Sequence, residues 1–151
     1  MSFRYQFGRW GWGEADLIEP QGVAAHGDLL AVTDKGNKRV AIFGLRGEFI
    51  RSIGAGGGGT SFASKPVSVA LTDGHLFVLE EHEGIGKDKP ATGQSGHIHV
   101  IDPTTGALRR PPLAPPFAVD DKRKGTLNGL GVFNGCLYAT SSYGCILALP
   151  R

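Results

Sequence analysis

The sequence has no apolar run approaching the roughly 18 residues a membrane-crossing helix needs, so no membrane partner is expected. Its opening, Met1-Ser2-Phe3-Arg4-Tyr5-Gln6-Phe7, lacks the apolar centre of a secretory signal, and a cytoplasmic location is the expectation. Excess charge is also missing: the formal net charge is +2, too small a field to imply nucleic acid by itself. Cysteine is scarce, with two residues, Cys136 and Cys145. Read at the starts of successive antiparallel strands, they would stand roughly 13 Å apart, beyond the roughly 7 Å limit for a disulfide. Free thiols favour a reducing compartment. Finally, no window sustains a helical period of apolar residues.

What the chain has in excess is glycine, 24 of 151 residues, with 9 prolines. No collagen-like period accompanies them, and short apolar runs stand between the glycines, as in a turn-rich β fold. An internal repeat organises these runs. Phe3-Arg4-Tyr5-Gln6-Phe7-Gly8 matches Phe49-Ile50-Arg51-Ser52-Ile53-Gly54, and Pro20-Gln21-Gly22-Val23-Ala24 matches Pro66-Val67-Ser68-Val69-Ala70, both at an offset of 46 without gaps. Leu30-Ala31-Val32 matches Leu76-Phe77-Val78, and Asp34 matches Glu80, at that same offset. A third copy, from Leu130-Gly131-Val132 to Leu137-Tyr138-Ala139, follows at an offset of 61. Each unit reads as four short strands, a to d. Strand a is 22–25, 68–71 and 129–133; strand b is 29–33, 75–79 and 136–140; strand c is 39–43, 97–101 and 145–149. Strand d is 3–7, 48–53 and 107–110.

These units predict an all-β fold of β-propeller blades, each of four antiparallel strands. A d-type strand at 3–8 belongs to a preceding blade, followed by blades at 20–54 and 66–110 and a partial blade at 127–149. The second blade carries a long insertion between strands b and c. The turn Asp34-Lys35-Gly36-Asn37-Lys38-Arg39-Val40 resembles the signature of the NHL-repeat propellers, as do Pro20-x-Gly22-Val23-Ala24 and Gly47 to Gly54. In that turn Gly36 and Asn37 tolerate positive φ, while Asp34 accepts hydrogen bonds from turn amides or pairs with Arg39. Roughly three blades would each span about 120°, too wide for sheets packed about 10 Å apart. An open arc, part of a larger chain, or half of a six-bladed ring formed by a homodimer is therefore expected.

Function should follow the loops. The a–b and c–d links are short, whereas 8–19, 54–65, 81–96 and 110–128 are long and share one end of the sheets. A rigid sheet stack that collects its loop length at one end builds a recognition surface there. Candidate contact residues at that end are Arg9, Trp10, Trp12, Lys65, Lys87, Lys89, Lys122 and Arg123. Trp and Arg are frequent interface anchors; the competing reading packs the Trp rings into a blade junction as core. The run from Gly54 to Thr60 lacks the ending of a phosphate loop and reads as a flexible connector. His82, His97 and His99 stand near Glu80, Glu81 and Glu83, but nothing in their spacing fixes a three-ligand metal site, and exposed polar roles are expected. The stretch Arg110-Pro111-Pro112-Leu113-Ala114-Pro115-Pro116-Phe117 reads as an extended spacer.

The expected function is a non-catalytic binding scaffold with a protein partner and no cofactor. RNA is a second partner class, although Asp120, Asp121 and Asp88 offset the neighbouring cations. The alternative is a fragment of a six-bladed hydrolase or lyase, as the resemblance to enzyme propellers implies, with a metal in the central channel. No Ser-His-Asp set or paired carboxylates support catalysis.

Overall fold

The computed structural model describes residues 2, 4–81, 97–113, 127–141 and 146–149. Three antiparallel sheets follow one another along the chain. The first contains β1 (Pro20–His26), β2 (Leu29–Asp34), β3 (Arg39–Gly44) and β4 (Phe49–Gly54). The second contains β5 (Pro66–Thr72), β6 (His75–Glu80), β7 (Ile98–Ile101) and β8 (Leu108–Leu113). The third contains β9 (Leu127–Phe133), β10 (Cys136–Ser141) and β11 (Ile146–Leu149). Strands pair in chain order within every sheet, so each unit is a meander with its links alternating between two ends. The first strands of consecutive sheets, β1, β5 and β9, neighbour one another. That arrangement is an arc of propeller blades, and it is not closed.

Period-two patterning explains the stacking. In the first sheet, Ala31, Val40, Ile42 and Ile53 face the second sheet, where Val69, Leu71, Leu76, Val78 and Ile101 meet them. The residues between them, Val32, Ala41 and Phe43, point to the opposite face. In the second sheet, Val67, Ala70, Phe77, Leu79, Ile98 and Val100 turn to the third and pack on Leu127, Leu137 and Ala139. Each fully buried Leu or Ile in these layers contributes roughly 1.5–3 kcal/mol by leaving water.

Several local expectations are revised. In the signature turn, a single 3-10 turn at Lys35–Asn37, positive φ falls on Lys38 (φ 51°), not on Gly36 or Asn37. Gly36 is required for a different reason: a Cβ there would stand 2.3 Å from Ile18 Cγ2. Of the Pro-rich stretch, Arg110-Pro111-Pro112-Leu113 is not a spacer but part of β8, with Ile98 opposite Leu113, while residues 114–117 lie outside the described residues. Proline is tolerated there because β8 is an edge strand.

Residues 4–8 belong to no strand, yet they lie on the outer face of the first sheet. The Phe7 and Phe43 rings are 5.4 Å apart, and the Tyr5 hydroxyl donates to the Leu45 carbonyl. Phe7 and Phe43 correspond by the repeat to Ile53 and Ile101, which share the core between the first two sheets. The segment thus occupies the place of a strand d against the first blade, without sheet neighbours among the described residues.

Candidate functional site

The end of the sheets that gathers the strand d–a links is built on buried acids. Asp34 closes β2 and is 0% exposed. Its Oδ1 accepts the Ile18 amide at 2.8 Å, and its Oδ2 accepts Asn37 Nδ2 and Arg39 Nε, both at 2.8 Å. With one edge of its guanidinium on Asp34, Arg39 turns Nη2 outward to the carbonyls of Gly13 (2.7 Å) and Asp16 (2.9 Å). Asn37 Nδ2 also reaches the Gly11 carbonyl at 3.1 Å. The turn residues identified in the sequence therefore hold the 9–17 loop from beneath.

The loop closes on itself. The Leu17 amide donates to the Arg9 carbonyl at 2.8 Å, and Arg9 Nε pairs with Asp16 Oδ1 at 2.8 Å. The Gly13 amide donates to Asp16 Oδ2 at 3.1 Å, and a Cβ on Gly13 would stand 2.7 Å from that oxygen. On this base stand Trp10 and Trp12, 69% and 73% exposed, with ring centroids 4.7 Å apart in an edge-to-face pair. The rings are not blade-junction core. Pinned loop and paired rings together give a pre-formed aromatic surface beside a cation, so little ordering entropy remains to be lost on contact.

Asp16 was not legible as a site residue. At the repeat offset it matches Phe62, a buried aromatic of the second unit. An acid in place of a core ring was the available signal. The hydrogen bond from Arg9 draws the Asp16 carboxyl below its ordinary range against the opposing effect of desolvation, and the Gly13 amide and the charges of Arg9 and Arg39 add to it. A carboxyl depressed in the folded state stabilises above its unfolded pKa and loses that contribution as pH falls through the folded value. Because the chain has two Trp, both in this loop, intrinsic fluorescence reports on it alone. We expect the Trp emission to change as pH drops below about 4, while the wild-type emission stays constant from neutrality down to that point. Asp16→Asn should already show the acid-form emission at pH 7. Wild-type emission in the neutral variant would show that Asp16 does not order the loop.

The second unit repeats the anchor with other residues. Glu80 Oε1 accepts the Ser64 amide at 3.0 Å, as Asp34 accepts that of Ile18, again 46 residues apart. Its Oε2 meets His99 Nε2 at 2.7 Å. His99 is therefore buried, at 6% exposure, instead of the exposed polar residue expected. Burial pushes the Glu80 carboxyl up, but the hydrogen bonds from His99 and Ser64 and the His99 charge outweigh it and leave it lowered. Lys35 and Glu81, equivalent positions in adjacent units, pair at 3.1 Å and tie the two blades together.

The glycine run behaves as structure. Gly58 bridges to Ile53, the Gly57 amide bonds to the Gly54 carbonyl at 3.0 Å, and the Thr60 amide bonds to the Gly106 carbonyl at 2.8 Å. The run is a packed inter-sheet link and not a flexible connector. By the repeat it is the counterpart of the Trp loop: Trp10 aligns with Gly56 and Trp12 with Gly58.

The other candidates scatter. Lys65 is half-buried, and its carbonyl accepts the Glu81 amide at 2.7 Å. Lys87, Lys89, Lys122, Arg123 and His82 lie outside the described residues, as does Cys145. His97 is half-buried at the approach to β7. Among the described residues no three His, Cys, Asp or Glu side chains come together as a metal site, and no helix is long and apolar enough to cross a membrane.

Among solved structures, the chain is similar to the computationally designed Ika4 protein, with 10% identity over 98% of this chain and 99% of that one (TM-score 0.47). It is similar to virginiamycin B lyase from Staphylococcus aureus, with 14% identity over 87% of this chain (TM-score 0.47), and spans 41% of that chain. It is also similar to the glutaminyl cyclase of Myxococcus xanthus, with 15% identity over 86% of this chain and 73% of that one (TM-score 0.33). No protein-family model and no curated protein sequence matches the chain, so its function is argued from its own residues.

Proposed function

We propose that the chain is a non-catalytic binding module that engages a protein partner through the Trp10–Trp12 loop. The observation that carries this reading is a contrast within the repeat. Two large aromatics stand in water on a loop fixed from below, and the next unit has glycine at both positions. The blade architecture therefore does not need the rings. Exposed Trp costs solubility unless it is used, and Trp beside Arg is the composition of interface hot spots. Arg9 is already paired with Asp16, so the loop offers little free positive charge, which favours protein over RNA. The NHL-like turn takes a supporting part in this reading: Asp34, Asn37 and Arg39 set the height and angle of the loop.

The test uses a displayed random-peptide library panned on the intact chain, with the Trp10→Ala/Trp12→Ala variant alongside. Wild-type protein should enrich peptides whose affinity falls about 30-fold or more in the variant, the equivalent of about 2 kcal/mol for a hot spot. The urea midpoint of the variant should stay close to that of the wild type, since neither ring is buried. Peptides that bind both proteins equally, or no enrichment on the wild type, would overturn the proposal.

A further inference from the structure

The polar groups of the 9–17 loop are engaged inside the molecule. Arg9 Nε donates to Asp16 Oδ1, and the Gly13 amide donates to Asp16 Oδ2. The carbonyls of Arg9 and Gly11 accept the Leu17 amide and Asn37 Nδ2. Those of Gly13, Glu14 and Asp16 all face Arg39 Nη2. Asn37 Nδ2 is held by Asp34 as well. What the loop turns to solvent is therefore narrow in chemistry: two indole rings with their N–H groups, and the acids Glu14 and Glu19. Indole N–H is a donor only, and neither donates to a protein acceptor among the described residues.

The rings define the shape of what complements them. Their planes cross at 73° with centroids 4.7 Å apart, so one face of each ring forms a wall of an exposed corner. Two flat apolar walls accept a compact ring better than a long flexible side chain, and proline carries that ring. A polyproline II segment also supplies acceptors, because it has no internal hydrogen bonds and leaves its carbonyls exposed. It is ordered before contact, as the pinned loop is, so little freedom is lost on either side. A sugar would stack on the rings too, but its hydroxyls need polar side chains beside them, and Arg9, Asp16 and Asn37 already serve the loop itself. Charge settles the flanks. Residues 9–19 carry one cation, Arg9, against three acids, Glu14, Asp16 and Glu19. Arg9 is paired with Asp16, whereas Glu14 and Glu19 are exposed and form no ion pair among the described residues. Basic residues beside the prolines complement those two acids, and acidic ones are repelled.

We infer that the Trp10–Trp12 corner docks a proline-rich segment of the partner protein, in polyproline II form, with basic residues beside its prolines. A proline ring fills the corner, neighbouring carbonyls of the segment accept the indole N–H groups, and Glu14 and Glu19 meet the basic flanks. Aromatic-lined surfaces recognise such segments because the extended helix is already formed and its carbonyls are free. The inference rests on the reading of this loop as the partner site, and it names the chemistry of what binds there.

Calorimetric titration of the intact chain with octaproline flanked by arginine, and with octaproline flanked by glutamate, tests it. The arginine peptide should bind saturably and about threefold or more tighter than the glutamate peptide at low salt. Trp10→Phe/Trp12→Phe keeps two flat rings but removes both donors, and affinity for the arginine peptide should fall about fivefold or more. Glu14→Gln/Glu19→Gln should abolish the preference between the two peptides. No saturable binding of either peptide overturns the inference, and so does equal or tighter binding of the glutamate peptide. Full affinity in the Phe variant, or an undiminished preference in the Gln variant, overturns it as well. Should a variant fail to fold, the two titrations of the unaltered chain still decide. Trp-dependent library peptides without proline would overturn this inference and leave the protein-binding reading standing. Binding of maltoheptaose in place of octaproline, lost in Trp10→Ala/Trp12→Ala, would overturn both.

Discussion

Arg39→Ala should lower the unfolding free energy by about 3–5 kcal/mol, the usual cost of removing one partner from a buried ion pair. Arg39 is 6% exposed and Asp34 is 0% exposed. In the variant Asp34 keeps the Ile18 amide and Asn37 as donors but loses its countercharge. The carbonyls of Gly13 and Asp16 lose the Arg39 donor at the same time. Arg39→Lys should recover only part of the loss. An ammonium on a flexible stem restores the charge, but it cannot span Asp34 on one edge and the loop carbonyls on the other as a planar guanidinium does. Urea unfolding followed by circular dichroism measures the loss. Trp emission should show the loop released at lower denaturant than the sheets, since both rings ride on the part Arg39 holds. A loss below about 1 kcal/mol, as typical of an exposed pair, would mean that the network is not what fixes the Trp loop.

The elements were legible where their information is local. Alternating apolar residues, Asn-Gly and Asp-Gly turns and the repeat located every strand but β8 to within about two residues, because period and turn chemistry are read along the chain. The acid at the end of strand b was legible too, since Asp34 and Glu80 align. What stayed hidden depends on residues far apart in sequence. His99 looked like an exposed histidine because its partner, Glu80, approaches across the β6–β7 pairing. Lys38 carries the positive φ because the turn closes on three residues rather than at its Gly-Asn pair. The Trp rings are exposed because Arg39 and Asn37 hold the loop backbone against the sheet end, a contact that no window of sequence contains.

Gly59→Ala and Gly58→Ala, one residue apart in a run that looks uniform, should have opposite effects. Gly59 has φ of 88°, and a Cβ on it would lie 2.3 Å from the Gly106 carbonyl oxygen and 2.6 Å from its carbon. Alanine in that backbone region costs about 1–2 kcal/mol. The clash must in addition push the loop off Gly106, which accepts both the Thr60 amide (2.8 Å) and the Thr60 hydroxyl (3.0 Å). At about 1 kcal/mol for each hydrogen bond, the total loss should be about 3 kcal/mol. Gly58 meets only the Arg51 guanidinium, at 3.9 Å, an ordinary van der Waals distance, and its φ is not positive. Alanine there should be neutral or should stabilise by about 0.4–1 kcal/mol by restricting the unfolded chain. Urea midpoints of the two variants give the answer directly, and equal midpoints would restore the run to a flexible connector. Opposite shifts would show a division of labour between equivalent loops. In the second unit the loop has given up side chains so that its backbone can bind the β7–β8 turn of that same blade. In the first, the turn residues Asn37 and Arg39 carry the loop instead, and positions 10 and 12 are free to hold rings that face outward.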